Sequence, residues 1–198
     1  MTLAQILTKA RADLRNAVDL DTLVIWAAET QDDIGNLDIP LFKKRKTDFS
    51  STSEQKEYDI SDIGADVRKI HSIWYELQTT TDPYDHDYGQ KQAWERKYFK
   101  FDQNDTNFWL EEDPEGKTLT IAYYRILTPI TSQASSIDFA TRWHRGIYIG
   151  IMKRAAEQKY KTPSGNWETL FDKFLGEMQA NERSINRGPQ TVRYYSVV

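Results

Sequence analysis

Tyr123, Tyr124 and Arg125 stand together near the end of "KTLTIAYYRILTPITS", the most strand-like run in the sequence. Two phenols beside a guanidinium suit acid–base work, stacking against nucleic-acid bases, or burial at a packed boundary. Asp85-His86-Asp87 carries metal-competent donors. Residues adjacent in sequence rarely converge on one ion, so a solvated loop is the plainer reading. His71 falls in a strand pattern and His144 on a helical stripe. Single histidines on such faces usually complete a core or an interface. Asp102, Asp105, Glu111, Glu112, Asp113 and Glu115 crowd one stretch of chain. Glycoside hydrolysis needs two carboxyls facing each other across a cleft, whereas around a turn they most simply solubilise it. The sequence holds no G-x-S-x-G, phosphate-loop, H-E-x-x-H or G-x-G-x-x-G pattern. No catalytic residue, metal site or cofactor is assigned, and the chain is read as a non-enzyme.

Charge gives a stronger signal than any motif. From Arg142 to Lys161 the bases are Arg142, Arg145, Lys153, Arg154, Lys159 and Lys161, against the single acid Glu157. Lys43-Lys44-Arg45-Lys46 is a second basic run, and Glu29, Asp32, Asp33 and Asp38 form an acidic one. Three readings compete: phosphate contacts, a solvated helix face, or an acidic face of one copy meeting a basic face of the next. The net charge of −4 gives no overall drive toward nucleic acid or an anionic membrane. Sequence-specific base readout is not expected, because no helix-turn-helix or zinc-finger pattern is present.

The elements that position these groups follow from composition and periodicity. With 198 residues, 39% hydrophobic and 13% aromatic, the chain can bury a sizeable core, and 28% charged residues solvate its surface. It has no cysteine. "MTLAQILTKARADLR" lacks the apolar run of a signal peptide, and no stretch nears the roughly 20 apolar residues that span a bilayer. The expectation is an intracellularly made, soluble protein.

Leu3, Ile6, Leu7, Ala10 and Leu14 recur at helical spacing behind a Thr2–Gln5 capping box. Leu20, Leu23, Val24, Ala27, Gln31 and Ile34 make a second stripe, with Asp21 as cap and Gly35-Asn36 as stop. Short aromatic and β-branched runs follow; in one, His71, Ile73, Tyr75 and Leu77 share a face. "TNFWLEEDPEGKTLTIAYYRIL" predicts a hairpin with a type I turn at Asp113–Gly116. Along its returning strand Leu119, Ile121, Tyr123 and Arg125 face one way, and Thr120, Ala122 and Tyr124 the other. Helix resumes at a cap formed by Ser135 and Asp138, and Gly146-x-x-x-Gly150 allows a neighbouring helix to pack closely. A fourth helix carries Trp167, Leu170, Phe171, Phe174 and Met178. The fold class is α+β. Residues 1–40 and 132–187 are the two helix pairs of a small bundle, 41–131 an inserted antiparallel β module, and 188–198 an extended tail.

This order resembles the head-to-tail adaptor (connector) proteins of tailed bacteriophages. The likeness rests on "TLAQILTKARADLRNAVDLDTLVIWAAETQDDI", "KEYDISDIGADVRKIHSIWY", "LTIAYYRILTPIT", "SIDFATRWHRGIYIGIMKRAAEQ" and "WETLFDKFLGEMQANERS". The resemblance implies a virion protein at the head-to-tail interface, in a ring of about twelve copies with heterologous contacts. Its partners would be the portal, a downstream tail or nozzle protein, and genomic DNA passing without sequence specificity; no membrane is implied. Glu29, Asp32 and Asp33 against Arg142, Arg145, Lys153 and Arg154 are the candidate subunit interface. Arg187, Val192, Arg193, Tyr194, Tyr195, Val197 and Val198 are the candidate segment for docking on the portal or a neighbour. Tyr123, Tyr124 and Arg125 are read as the domain junction. The alternative is a nucleic-acid-binding or packaging-associated protein using the basic third helix.

Overall fold

The computed structural model describes residues 1–79, 93–160 and 165–185. Asp85-His86-Asp87 and the docking residues Arg187, Val192, Arg193, Tyr194, Tyr195, Val197 and Val198 lie outside them. The chain divides into two compact units: Met1–Phe42 with Leu127–Val198, and Lys43–Ile126. The fold class is α+β, with helices in the first unit and antiparallel sheets in the second.

In the helical unit, α1 spans Leu3–Asp13. Its capping box forms as the sequence predicts: Gln5 N–H donates to Thr2 Oγ1 at 3.3 Å and Thr2 N–H to Gln5 Oε1 at 2.9 Å. Helix α2 spans Leu20–Gly35 and is capped by Asp19, whose Oδ1 accepts from Thr22 N–H at 2.8 Å. The expected cap, Asp21, lies inside the first turn. Asp19 wins because its backbone is extended (ψ 162°) and it sits three residues before Thr22.

Helix α3 spans Arg145–Arg154, ten residues later than the Ser135/Asp138 cap predicts. The capping groups are used locally instead. Ser135 Oγ accepts from Thr131 and Ser132 N–H, each at 3.1 Å, and Asp138 Oδ2 accepts from Thr128 N–H at 2.7 Å. The fully buried Gln31 side chain of α2 holds this segment. It donates to Thr128 O at 2.7 Å and accepts from Asp138 N–H at 3.1 Å. Helix α4 spans Gly165–Ile185 and buries Phe171, Phe174 and Met178.

The glycines of α3 set its two close approaches. A Cβ on Gly146 would lie 2.2 Å from Phe174, and one on Gly150 would lie 2.2 Å from Thr30. Helices α4 and α2 thus approach α3 at positions where no side chain intervenes.

The β unit contains a four-stranded sheet ordered β1-β7-β3-β4: Lys43–Ser50, Thr118–Arg125, Val67–Thr79 and Ala93–Phe99. A three-stranded sheet is ordered β2-β6-β5: Glu57–Asp59, Asn107–Leu110 and Phe101–Gln103. The expected β6–β7 hairpin does not form, since β6 pairs with β2 and β5 while β7 pairs with β1 and β3. The turn carries the chain from one sheet to the other. Phe108 and Leu110 of β6 then share a core with Leu119, Ile121 and Tyr123 of β7, together with Phe49, Tyr58, Ile70, Ile73 and Phe99.

The turn itself is shifted by one residue. Lys117 N–H donates to Pro114 O at 3.0 Å, and Glu115 (φ 53°) and Gly116 (φ 69°) are both left-handed. This is the backbone of a primed turn rather than a type I turn. A second correction concerns His71. The register shifts between Ile70 and Ser72, so His71 leaves the face of Ile73 and its ring meets Tyr124 edge-on at 5.8 Å.

Candidate interaction surfaces

The charged face of α3 is largely engaged within the helical unit. Arg154 Nε donates to Glu29 Oε2 at 2.6 Å and its NH2 to Asp33 Oδ2 at 2.8 Å. Burial works against the charge of Arg154, but the bonds to Asp33 and Glu29 prevail and hold its pKa further up. Arg142 and the Trp143 indole N–H both donate to the buried carboxylate of Glu182, the indole at 2.7 Å. Lys159 donates to Ala17 O, and the Lys153 ammonium lies 5.5 Å from the Phe171 ring centroid. The charges read as complementary between subunits therefore meet inside one chain at Glu29, Asp33 and Arg154.

Asp32 and Arg145 stand apart from these pairs. Both are exposed, and among the described residues neither makes an ion pair. Desolvation, then the charges of Asp33 and Glu29, hold Asp32 above the usual carboxylate range. Arg145 and Lys9 edge an apolar recess of about 320 Å³ that is lined by Met1, Tyr148, Ile149, Trp167 and Leu170.

Both ring nitrogens of His144 are engaged within the helical unit. His144 Nδ1 lies 2.7 Å from Met1 O and Nε2 lies 2.8 Å from Phe139 O, so neither ring nitrogen is open to a substrate. Glu112 and Glu115 face Lys97 and Lys117 at 3.4 and 3.7 Å, and Asp113 accepts from the Glu54 and Glu115 backbone. Among the described residues no three His, Asp or Glu side chains converge as metal ligands.

Tyr123, Tyr124 and Arg125 end β7, just before the chain re-enters the helical unit at Leu127. They alternate as the strand pattern predicts. Tyr123 is in the intersheet core, and its hydroxyl donates to Asp66 Oδ1 at 3.2 Å. Burial and then the Asp66 charge raise its pKa. Burial would raise Asp66 too, but Lys44 and Tyr123 outweigh it and hold that carboxyl low. Tyr124 takes the opposite face, where Lys43 and Arg68 lie 5.4 and 5.6 Å from its ring centroid.

That opposite face gathers residues the sequence did not bring together. Trp74 of β3 is buried, at 4% exposure. Arg45 of β1 and Arg96 of β4 place their guanidinium carbons 5.7 and 5.3 Å from its ring centroid, and Tyr98 of β4 lies 5.8 Å away, ring to ring. The sequence shows the basic run Lys43–Lys46 but not what it meets. The meeting itself depends on the order β1-β7-β3-β4 and its register.

A family model described as SU10 adaptor protein, the adaptor protein of phage SU10, matches residues 1–193. No curated protein matches the chain.

Proposed function

From the premise that the chain belongs to the SU10 adaptor protein family, we propose that it docks as a ring beneath the portal and links it to the tail. The observation that carries this is the family match over residues 1–193, which takes in both the helical and the β unit. The protein is a structural adaptor of a phage virion. Among the described residues no helix is long and apolar enough to cross a membrane.

The ring would hold about twelve copies joined by unlike faces, around a channel through which genomic DNA passes. Asp32 and Arg145 are the charges best left to a neighbouring subunit, because Glu29, Asp33 and Arg154 already satisfy one another. Tyr123, Tyr124 and Arg125 would serve the junction by packing and hydrogen bonding, and the role asks for no catalysis. Residues 188–198, with Val192, Arg193, Tyr194, Tyr195, Val197 and Val198, supply strand-prone apolar anchors for the portal or an adjacent copy. The downstream surface would receive a tail or nozzle protein.

Co-sedimentation with portal rings of the same virus, with and without residues 188–198, tests this reading. Ring-like stoichiometry that is lost on deletion, with the circular dichroism of the fold unchanged, is the expected result. Failure of the full chain to bind the portal overturns it.

A further inference from the structure

The cluster on the outer face of β1-β7-β3-β4 is rich in donors and short of acceptors. The Trp74 indole N–H is buried and, among the described residues, has no hydrogen-bond partner. Arg45 is exposed and, among the described residues, meets no acid. Arg96 faces one carboxylate, Glu76, at 3.6 Å, with both side chains nearly half exposed. Two cations reach the same ring from opposite strands of the sheet. Tyr98 beside them is 58% exposed although it is a large aromatic.

Packing explains part of this, since guanidinium groups cover the Trp74 ring favourably. The indole N–H, closed off from solvent and without an acceptor among the described residues, costs free energy there and lies beyond the reach of an outside ligand. Packing does not explain an open tyrosine beside these cations on the edge strand β4. An anion supplied from outside answers the exposed guanidinium groups of Arg45 and Arg96. A carboxylate would use the guanidinium edges and leave the Tyr98 ring idle. Nucleic acid uses both, with phosphates on the cations and a base or sugar against the ring.

We propose that the sheet face centred on Trp74, with Arg45, Arg96 and Tyr98, is a phosphate-binding platform for nucleic acid. This deepens the adaptor reading by placing the DNA contact on the β unit rather than on α3. The contact is independent of sequence, because phosphate contacts and ring stacking do not read base edges.

Fluorescence anisotropy of the full chain with labelled duplex and single-stranded oligonucleotides, over a range of salt, tests the platform. We expect salt-dependent binding, and the two DNA arms tell whether stacking or the phosphate backbone dominates. The double variant Arg45→Gln/Arg96→Gln should weaken binding at least about tenfold and flatten the slope of log K against log salt by about two. Tyr98→Ala should weaken the single strand more than the duplex. Lys153→Gln on α3 should change neither. Absence of DNA binding at low salt, or binding indifferent to the Arg45/Arg96 double variant, overturns the proposal. So does competition by polyglutamate as effective as that by DNA, which would mark the face as a dock for acidic protein. Arg45 and Arg96 are exposed, and circular dichroism checks that the double variant folds. Portal co-sedimentation of the same variant separates the two readings: DNA binding lost with portal binding kept is the expected pattern, whereas portal failure in the unmodified chain removes the adaptor reading alone.

Discussion

Arg154 in the helical unit and Arg45 in the β unit both belong to basic stretches of the sequence, yet their surroundings differ in kind. Arg154 is 13% exposed in its side chain and grips Glu29 and Asp33. Arg45 is exposed and rests on the Trp74 ring with no acid in reach among the described residues. The first charge holds two helices of the same unit together, α2 and α3. The second remains available to a ligand. A run of basic residues therefore says little about binding until the acids of the same chain have been placed.

The helical unit should break most readily at its close approaches. Gly146→Val or Gly150→Val must push aside Phe174, held against Trp143 and Phe171, or Thr30, bonded to Trp26 O. Each is expected to cost about 3 kcal/mol, read as a fall in the denaturant midpoint. Arg154→Ala comes next. It leaves Glu29 and Asp33 without their cation and should cost about 1–2 kcal/mol by the same measurement.

Asp32→Asn should act in the opposite direction. The folded-state pKa of Asp32 is raised, so its charged form costs stability above that pKa, and the cost fades as pH falls through it. The variant should be a few tenths of a kcal/mol more stable at neutral pH. Its advantage should vanish in acid, which thermal melts at two pH values would show. The smallest effect sharpens the comparison best. Arg45→Gln should alter stability by less than about 0.5 kcal/mol, because the side chain is exposed and holds no ion pair. A loss as large as that of Arg154→Ala would mean that Arg45 serves structure rather than a ligand.

The legible parts of the fold were those governed by neighbours in sequence. Leu3, Ile6, Leu7 and Ala10 line one face of α1 behind the Thr2–Gln5 box, and all four are buried. Phe171, Phe174 and Met178 behave likewise in α4. Tyr123 and Tyr124 alternate across β7 because a strand has a period of two. The family, too, was visible in the order and texture of these elements.

Three features were not legible. Ser135 and Asp138 have the chemistry of a helix cap, but Gln31 of α2 holds their segment in another conformation. "TNFWLEEDPEGKTL" has the form of a hairpin, but its two strands bury apolar sides in one core from different sheets. The Arg45–Trp74–Arg96 cluster joins three strands separated by tens of residues.

By itself the sequence determined which stretches carry helical or strand periodicity, which face of α1, α4 and β7 is apolar, and where positive charge is dense. These properties depend on spacings of two to four residues, and the backbone imposes them locally. The tertiary structure alone decided which sheet each strand joins and which cation meets a carboxylate. Such pairings depend on distances between residues remote in the chain, and a shift of one residue, as at His71, redirects a side chain to a different neighbour.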